Sequence, residues 1–476
     1  MKRAFLSFIV AIVAFITTGA QTEERFTYTQ MWSFDTLKLD SMYRSWEERV
    51  EASPKDEQAW RNLFEIYNAR KVITPREQQD AYRQACNIMQ RMEQAIPESY
   101  TFYCSAYQGG YEYEKYRGKP YGIAEYVAFR NQFADRAIEL LPEDAQADDY
   151  ELWASYLMRE KAGEDSTQLT RLLTRYFDSG LYPAEELQYH FNELQGMDKG
   201  AIYIGATEGD IIGKLILQLV LHVHRDKLLY NDNCASYRPY LEAFFQSAGL
   251  SQDFFDPEGE WAKTEEQFEE QRLNIRHICQ HAQRPVYFSA SSLSRMIVGE
   301  GLPDDLKACL YNEGLTMRYS AKPYDNLAAK RRNVEERYRL EYLRLSFRPS
   351  EERDDTRRFR QSTDFLAFNY LLLLNDLMPY YKAHSPGRYA WLNSLFNDIL
   401  SQLRRQGLVG LGGFGSVYII KEITDGGLHY EVIDDPTRFD AFSRKANNIP
   451  GDAVPRVLFR TEPVTTTNYS NYTNIK

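Results

Sequence analysis

Cysteine is scarce in this chain: five residues, Cys86, Cys104, Cys234, Cys279 and Cys309, are scattered through 476. Scarcity and scatter exclude a disulfide framework of the kind that holds small secreted domains together. A Cys86–Cys104 bridge between neighbouring helices stays open; otherwise these thiols serve as small buried hydrophobes. Positive charge is also short. Lys and Arg number 57 against 68 Asp and Glu, for a net charge of −11, which speaks against a general nucleic-acid binder, because such a protein needs a basic face. Long hydrophobic runs are missing from the body of the chain. The best internal candidate, Ile211 to Val223, carries Lys214, Gln218 and His222. It is too short and too polar for a membrane span of about 20 residues and reads as a core helix.

The marks of hydrolytic chemistry are lacking too. There is no Gly-x-Ser-x-Gly, no Cys or Ser with a persuasive His partner, and no pair of carboxylates singled out by spacing. The reading therefore assigns no catalytic residue, no cofactor and no metal.

What is present begins at the N-terminus. Lys2 and Arg3 precede an apolar stretch from Ala4 to Ile16, and Thr18-Gly19-Ala20 supply small residues before Gln21. This order is that of a secretory signal peptide, residues 1–20, with an uncleaved anchor as the other reading. No Cys stands at the cleavage point, so a lipid anchor is not expected. The expected product is exported and periplasmic, without a membrane-spanning segment in the mature chain. Aromatics are abundant at 14%, with 35 Tyr, a residue used where one end of a ring must meet a polar group.

The architecture turns on residues 199–231. Ala201 to Ala206 is short, apolar and β-branched; Thr207-Glu208-Gly209-Asp210 forms a turn; Ile211 to Val223 is helical; and Lys227 to Tyr230 returns to strand character. Two strands joined by such a helix imply a parallel βαβ crossover. With Arg284 to Ala290 and Leu315 to Tyr319 as further strands, residues 199–321 are expected to form a small, mostly parallel α/β sheet.

Around this centre the chain reads as helical. After a lead-in at 21–40, residues 41–196 form a stack of antiparallel helices, with an irregular bundle as the alternative. Ser53-Pro54-Lys55-Asp56-Glu57 is a helix-start signal, with Ser53 as the cap, Pro54 in the first turn and acids against the dipole, and Trp60, Leu63, Phe64 and Tyr67 share one face. That spacing, followed by Pro75 and an ending at Ala95-Ile96-Pro97-Glu98, resembles a degenerate tetratricopeptide repeat. A second such unit ends at Pro142 and is interrupted by the Tyr- and Gly-rich stretch 107–121. Residues 325–405 are helical again, with Arg331 to Arg360 carrying 10 Arg and 7 acids as a solvated, ion-paired surface. A Gly-rich loop and hairpin at 406–460 follow, the hairpin turning at Thr424-Asp425-Gly426-Gly427. Residues 461–476 are expected to be a flexible tail. The fold class is thus α/β plus all-α.

Among candidate sites, Thr207, Glu208, Gly209 and Asp210 rank first. They lie at the carboxyl end of the first strand and at a helix N-terminus, where open α/β sheets bind ligands; capping by Asp210 is the plain alternative. His277 and His281, four apart on a helix, could offer two imidazoles to zinc, but no third ligand is identifiable. Gly410-x-Gly412-x-x-Gly415-x-Val417 and His224-Arg225-Asp226 with Asn231 imitate protein-kinase loops. In a kinase the glycine loop comes first, and here it comes second, with no Asp-Phe-Gly after Asn231.

The segment 201–226, with Arg284-Pro285-Val286-Tyr287-Phe288, Glu313-Gly314-Leu315 and Arg318-Tyr319, resembles the soluble C-terminal region of bacterial membrane proteins related to protein O-mannosyltransferases. The resemblance spans about residues 199–405. The membrane-embedded transferase part has no counterpart here, so the resemblance implies a stand-alone periplasmic α/β and helical-repeat module of Bacteroidetes type, without the transferase activity. Asp35-Thr36-Leu37 and Asp40-Ser41-Met42 look like O-glycosylation sites of exported proteins in that phylum, which implies modification at Thr36 and Ser41. The functional expectation is a non-catalytic envelope interaction protein whose partners are envelope proteins. The alternative is a glycan-related enzyme or glycan-binding module with its site at Thr207–Asp210.

Overall fold

The structure, a computed structural model, describes residues 36–73, 78–110, 124–163, 166–205, 207–235, 237–255, 267–289, 302, 304–340, 343, 357–405, 417–424, 427–433 and 457–459. The expected signal peptide at 1–20, the stretch 111–121, the glycines 410–415 and the tail 461–476 lie outside the described residues. The described chain is mostly helical, with fifteen α-helices and a small mixed sheet of five strands. It divides into two compact units, residues 1–148 and 149–476. The helices at 149–196, grouped by sequence with the N-terminal stack, fall in the second.

The first unit contains α1 (Thr36–Ala52), α2 (Glu57–Ile73), α3 (Gln78–Ala95), α4 (Tyr100–Ser105) and α5 (Ala124–Glu139). The expected cap of α2 shifts by three residues. Asp56, not Ser53, accepts from the Ala59 backbone N–H at 3.0 Å, while the Ser53 N–H closes α1 on the Arg49 carbonyl at 2.9 Å. A carboxylate at the cap also answers the helix dipole. Trp60, Leu63, Phe64 and Tyr67 do share one buried face, packed with Ile88, Met89, Met92 and Ile96. Burial of a side chain such as Leu63 or Phe64 contributes about 1.5–3 kcal/mol. The Trp60 indole N–H is satisfied by the Pro54 carbonyl at 2.9 Å.

The second unit opens with α6 (Ala147–Glu160), α7 (Thr167–Asp178) and α8 (Ala184–Gly196). Then come β1 (Ile202–Gly205), α9 (Glu208–Leu215), which runs on as a wider turn through Val220, and β2 (Leu228–Asn231). Next are α10 (Arg238–Ala248), α11 (Gln267–His281), β3 (Val286–Ser289), α12 (Asp304–Lys307), β4 (Leu310–Asn312) and β5 (Thr316–Tyr319). After the sheet come α13 (Asn326–Arg332), α14 (Arg357–His384) and α15 (Pro386–Arg405). Strand order is β2-β1-β3-β5-β4.

The expected mostly parallel sheet is corrected here. β1 pairs in parallel with β2 and β3, but β3–β5 and β4–β5 are antiparallel. The reason is a hairpin at Glu313-Gly314-Leu315. Gly314 takes φ +128°, a conformation that L side chains resist, and the chain reverses there instead of crossing over.

The two faces of the sheet differ because side chains alternate along each strand. Ile202, Ile204, Tyr230, Val286, Phe288, Leu310 and Met317 face the apolar core with α10 and α11. On the opposite face Tyr203, Tyr287, Arg318 and Tyr311 stand in register across β1, β3, β5 and β4. This row is polar at its tips. The Tyr287 hydroxyl donates to Glu313 Oε2 at 3.3 Å and the Tyr324 hydroxyl to Glu313 Oε1 at 2.7 Å, while Arg318 donates to Asp198 Oδ2 at 2.9 Å. Tyr338 seals one end: its hydroxyl accepts from the Leu315 N–H at 3.1 Å and lies against both Gly196 and Gly314.

α13 starts on Asp325, whose Oδ1 accepts from the Leu327 and Ala328 N–H groups at 3.1 and 3.2 Å. α14 and α15 follow one another across the single residue Ser385, with Pro386 opening α15, where its missing N–H is no loss. Tyr370, Leu374, Leu377, Leu392, Leu395 and Ile399 fill a second core. Of the Arg-rich segment, Arg331 pairs with Glu335 at 3.3 Å. Lys330, fully buried, pairs with Asp376 at 2.8 Å. Residues 344–356 lie outside the described ones.

Candidate functional site

The turn ranked first by sequence sits at the end of β1, as expected, and is filled. The Asp210 carboxylate accepts from the Thr207 backbone N–H at 3.3 Å and from the Thr207 hydroxyl at 3.4 Å, and the Asp210 N–H donates to the Thr207 carbonyl at 3.1 Å. This is a reciprocal cap in which Thr207 precedes the helix and Asp210 answers from its first turn. Glu208 Oε2 accepts from Asn233 Nδ2 at 2.8 Å. Gly209 is exposed. A β-carbon on Gly205 would lie 2.9 Å from the Asp210 Cβ and 3.1 Å from Ile211, so the strand end is packed against its own helix.

Directly beneath this turn lies a constellation that sequence reasoning missed. Lys214 of α9 is 0% exposed, as is Glu193 of α8, and His190 is 1% exposed. Lys214 Nζ lies 2.6 Å from Glu193 Oε2, 2.7 Å from His190 Nδ1 and 2.7 Å from the Asp210 carbonyl. An ammonium has three donors, and all three are spent. His190 Nδ1 also lies 3.0 Å from Glu193 Oε2, and its Nε2 lies 3.8 Å from Glu186 Oε1. Glu193 Oε1 in turn accepts from the Tyr203 hydroxyl at 3.1 Å and Ser289 Oγ at 3.4 Å. The ammonium also rests over the Tyr203 ring, 4.1 Å from its centroid, a favourable cation–π placement.

Burial pushes the Glu193 carboxyl up, but the Lys214 charge and the His190 contact outweigh it, and the group sits below its ordinary 4.5. Tyr203 is held well above the ordinary phenol range, first by burial and then by the Glu193 and Asp210 charges. Lys214 and Glu193 therefore form a buried ion pair in which each partner has further hydrogen bonds. Such an arrangement locks α8, α9, β1 and β3 in one geometry; breaking it from one side is costly. The sequence did carry a signal. Lys214, Gln218 and His222 recur every four residues in the apolar stretch Ile211–Val223, and Gln218 is also bound inside, donating to the His224 and Lys227 carbonyls at 2.8 and 3.0 Å.

The other candidates separate. His277 and His281 stack with ring centroids 4.4 Å apart, and His277 also lies against Phe245 and Phe254. Burial, then His281, lowers His277 to about 4. Among the described residues no group of three or more His, Cys, Asp or Glu is placed to hold a metal. His222 and His224 both adopt left-handed backbone, with φ 58° and 55°. The His224 ring packs on Phe191 at 4.9 Å, and burial followed by Lys227 lowers it to about 4. The kinase-like residues do ordinary turn work. Asp226 accepts from the Gly200 N–H at 2.8 Å and from Lys227 at 2.9 Å, and Asn231 Oδ1 accepts from the Asn233 N–H at 3.1 Å. Ser41 is exposed on α1; Thr36 begins that helix, with its side chain outside the described set. All five cysteines are free thiols. Among the described residues no helix is long and apolar enough to cross a membrane.

Comparison of the chain with protein-family models, with curated proteins and with solved structures finds no match.

Proposed function

We propose that this chain is an exported, periplasmic interaction protein of the cell envelope that works through helical surfaces and catalyses no reaction. The observation that carries this reading is the use made of the ionisable groups around the end of β1. Asp210 caps its own helix, Glu208 is held by Asn233, and Lys214, Glu193 and His190 Nδ1 are bound to one another. Reactive groups in enzymes face a cleft that admits a substrate; these face each other.

The helix pairs of the first unit are read as degenerate tetratricopeptide-like repeats, an architecture whose surfaces bind protein segments. Half-buried aromatic contacts support a docking role there: Tyr103 against Phe133 at 6.4 Å, and Phe133 against Phe129 at 5.2 Å. In the second unit, the reading takes the α/β and helical region as a stand-alone module like the soluble region of the mannosyltransferase-related membrane proteins, ending in a hairpin whose strands Val417–Thr424 and Gly427–Ile433 pair antiparallel. The glycan-enzyme alternative needs an open Thr207–Asp210 corner, and the filled cap argues against it.

The test is crosslinking of the tagged chain in the native envelope, with Phe129→Asp as the surface variant. The reading expects one reproducible protein partner, lost in the variant while the thermal midpoint holds. Turnover of a glycan substrate by the purified chain, abolished in Glu208→Gln, would overturn it.

A further inference from the structure

The turn between α14 and α15 has a composition unlike the rest of the chain. From Leu377 to Asn397 there is no Asp or Glu, in a protein whose acids outnumber its bases 68 to 57. The same stretch holds Lys382, His384 and Arg388 together with Tyr380, Tyr389 and Trp391. The two helices reverse across Ser385, whose N–H donates to the Tyr381 carbonyl at 2.8 Å and whose carbonyl accepts from the Tyr389 N–H at 2.9 Å. Lys382 and Arg388 are each three residues from Ser385 and Trp391 is six, so all three lie within about 9 Å of the tip along the helix axes.

Inward, Tyr381, Leu392 and Leu395 enter the core between α14 and α15. Outward, Trp391 is 40% exposed; among the described residues it and Leu221 are the two large apolar side chains left in solvent. Arg388 stands three residues before Trp391, on the same side of α15. Lys382 and His384 are exposed. The Lys382 ammonium lies 5.9 Å from the Tyr389 ring centroid, and the His384 ring stacks on Tyr380 at 4.4 Å. Arg331 of α13 lies 4.3 Å from the Tyr380 centroid. Glu335, the acid beside it, is taken up by Arg331 and by the Tyr381 hydroxyl. Among the described residues neither Lys382 nor Arg388 is paired with an acid.

We propose that this helical tip seats peripherally on a bilayer surface that bears anionic headgroups. Trp and Tyr settle at the headgroup level, where the ring meets apolar surroundings and its N–H or O–H stays wet. Lys and Arg reach phosphates while their stems lie along apolar surface. The reach of about 9 Å from Ser385 to Trp391 matches the roughly 5–10 Å to which interfacial segments bury. The net charge of −11 does not forbid the contact, because charges more than about 8 Å away are largely screened at physiological salt. An acidic protein segment would satisfy the bases and leave the indole unmatched, so the exposed Trp391 beside them favours lipid. The tip belongs to the second unit and does not depend on the docking reading of the first.

The test is partitioning of the full chain onto vesicles of phosphatidylcholine, with and without phosphatidylglycerol, at low and high salt. Wild type should prefer the vesicles that contain phosphatidylglycerol and lose the preference at high salt. Each base near an anionic surface contributes about fivefold, so Lys382→Gln with Arg388→Gln should weaken partitioning about twenty-five-fold. The apolar N-terminal stretch is common to both chains and cancels. Neither side chain is buried, and equal thermal midpoints check the fold of the variant. On the wild type itself, phosphatidylglycerol brominated high in its acyl chains should quench part of the tryptophan emission, and Trp391→Phe should remove that part. Equal partitioning of wild type and double variant, quenching that survives Trp391→Phe, or capture of an acidic peptide with no preference for phosphatidylglycerol would overturn the proposal.

Discussion

Replacing Lys214 by Met tests the sealed ion cluster most directly. Met keeps the length and apolar stem of lysine and removes only the ammonium. Three contacts vanish, at 2.6, 2.7 and 2.7 Å, and the Glu193 carboxylate keeps Tyr203, Ser289 and His190 but loses the lysine's charge. Breaking a buried pair from one side costs about 3–5 kcal/mol, because an uncompensated charge is left in a medium that solvates it poorly. The double variant Glu193→Gln, Lys214→Met removes both charges, so its loss should fall well short of the sum of the two singles. The sign of the pH response also changes. In the wild type, Glu193 lies below its ordinary 4.5, so its contribution is fully present above 4.5 and is lost as pH falls through the lower folded value. In Lys214→Met burial acts without the counter-charge and raises the carboxyl. Stability is then best in acid and falls as pH rises through the raised value. The two proteins should therefore diverge as pH climbs from 4 toward 8. The assay is urea unfolding at stepped pH, with the two compact units fitted as separate transitions. A loss below about 1 kcal/mol at neutral pH, or parallel pH profiles, would refute the claim that this cluster is a saturated charge lock.

Three further outcomes are expected. Glu151 is pushed up to about 7, by burial first and by Glu186 next, against the pull of the Tyr176 hydroxyl. Its protonated form is favoured in the folded chain, so stability is highest below the ordinary 4.5 and is lost as pH rises through about 7. Glu151→Gln should flatten that slope and gain about 1–2 kcal/mol at alkaline pH, discounted because the residue is only half-buried; thermal melts across pH read this. Gly213→Ala adds helix propensity worth about 1 kcal/mol, but the new β-carbon would overlap the Tyr182 hydroxyl and the His190 ring. The net should be a loss of about 1–2 kcal/mol in urea unfolding, and a gain would show that α8 and α9 can part cheaply. Tyr338→Phe leaves the Leu315 N–H without its partner and should cost about 1–3 kcal/mol by the same assay, with amide exchange at Leu315 speeding up.

Much of the fold was legible because apolar periodicity is local. The strand at Ala201–Ala206, the helix after it and the strand at Lys227–Tyr230 appear as β1, α9 and β2, within a few residues of their expected ends. The helical character expected over 41–196 appears in α1 to α8 in the same way. The sheet's mixed character was hidden because β4 has three residues, too few to show alternation, and because the decisive turn hangs on one glycine with φ +128°. Asp56 outranked Ser53 as the cap of α2 because two good capping residues stood three positions apart, and only the backbone path chooses between them. The lock at Glu193, His190 and Lys214 was the least legible part. Its members come from helices separated in sequence, and a lysine with 0% exposure reads, residue by residue, like a surface one.

Tyr338 fits into two sockets at once. A β-carbon at Gly196 would lie 2.8 Å from its hydroxyl, and one at Gly314 would lie 2.6 Å from the same atom. The three positions are therefore a single hereditary unit, although far apart along the chain. A descendant that acquires a side chain at either glycine must shrink the tyrosine, and one that enlarges the ring must keep both glycines bare. Kin of this protein should thus be recognisable by a correlated triplet at these positions even where the surrounding letters have drifted beyond comparison.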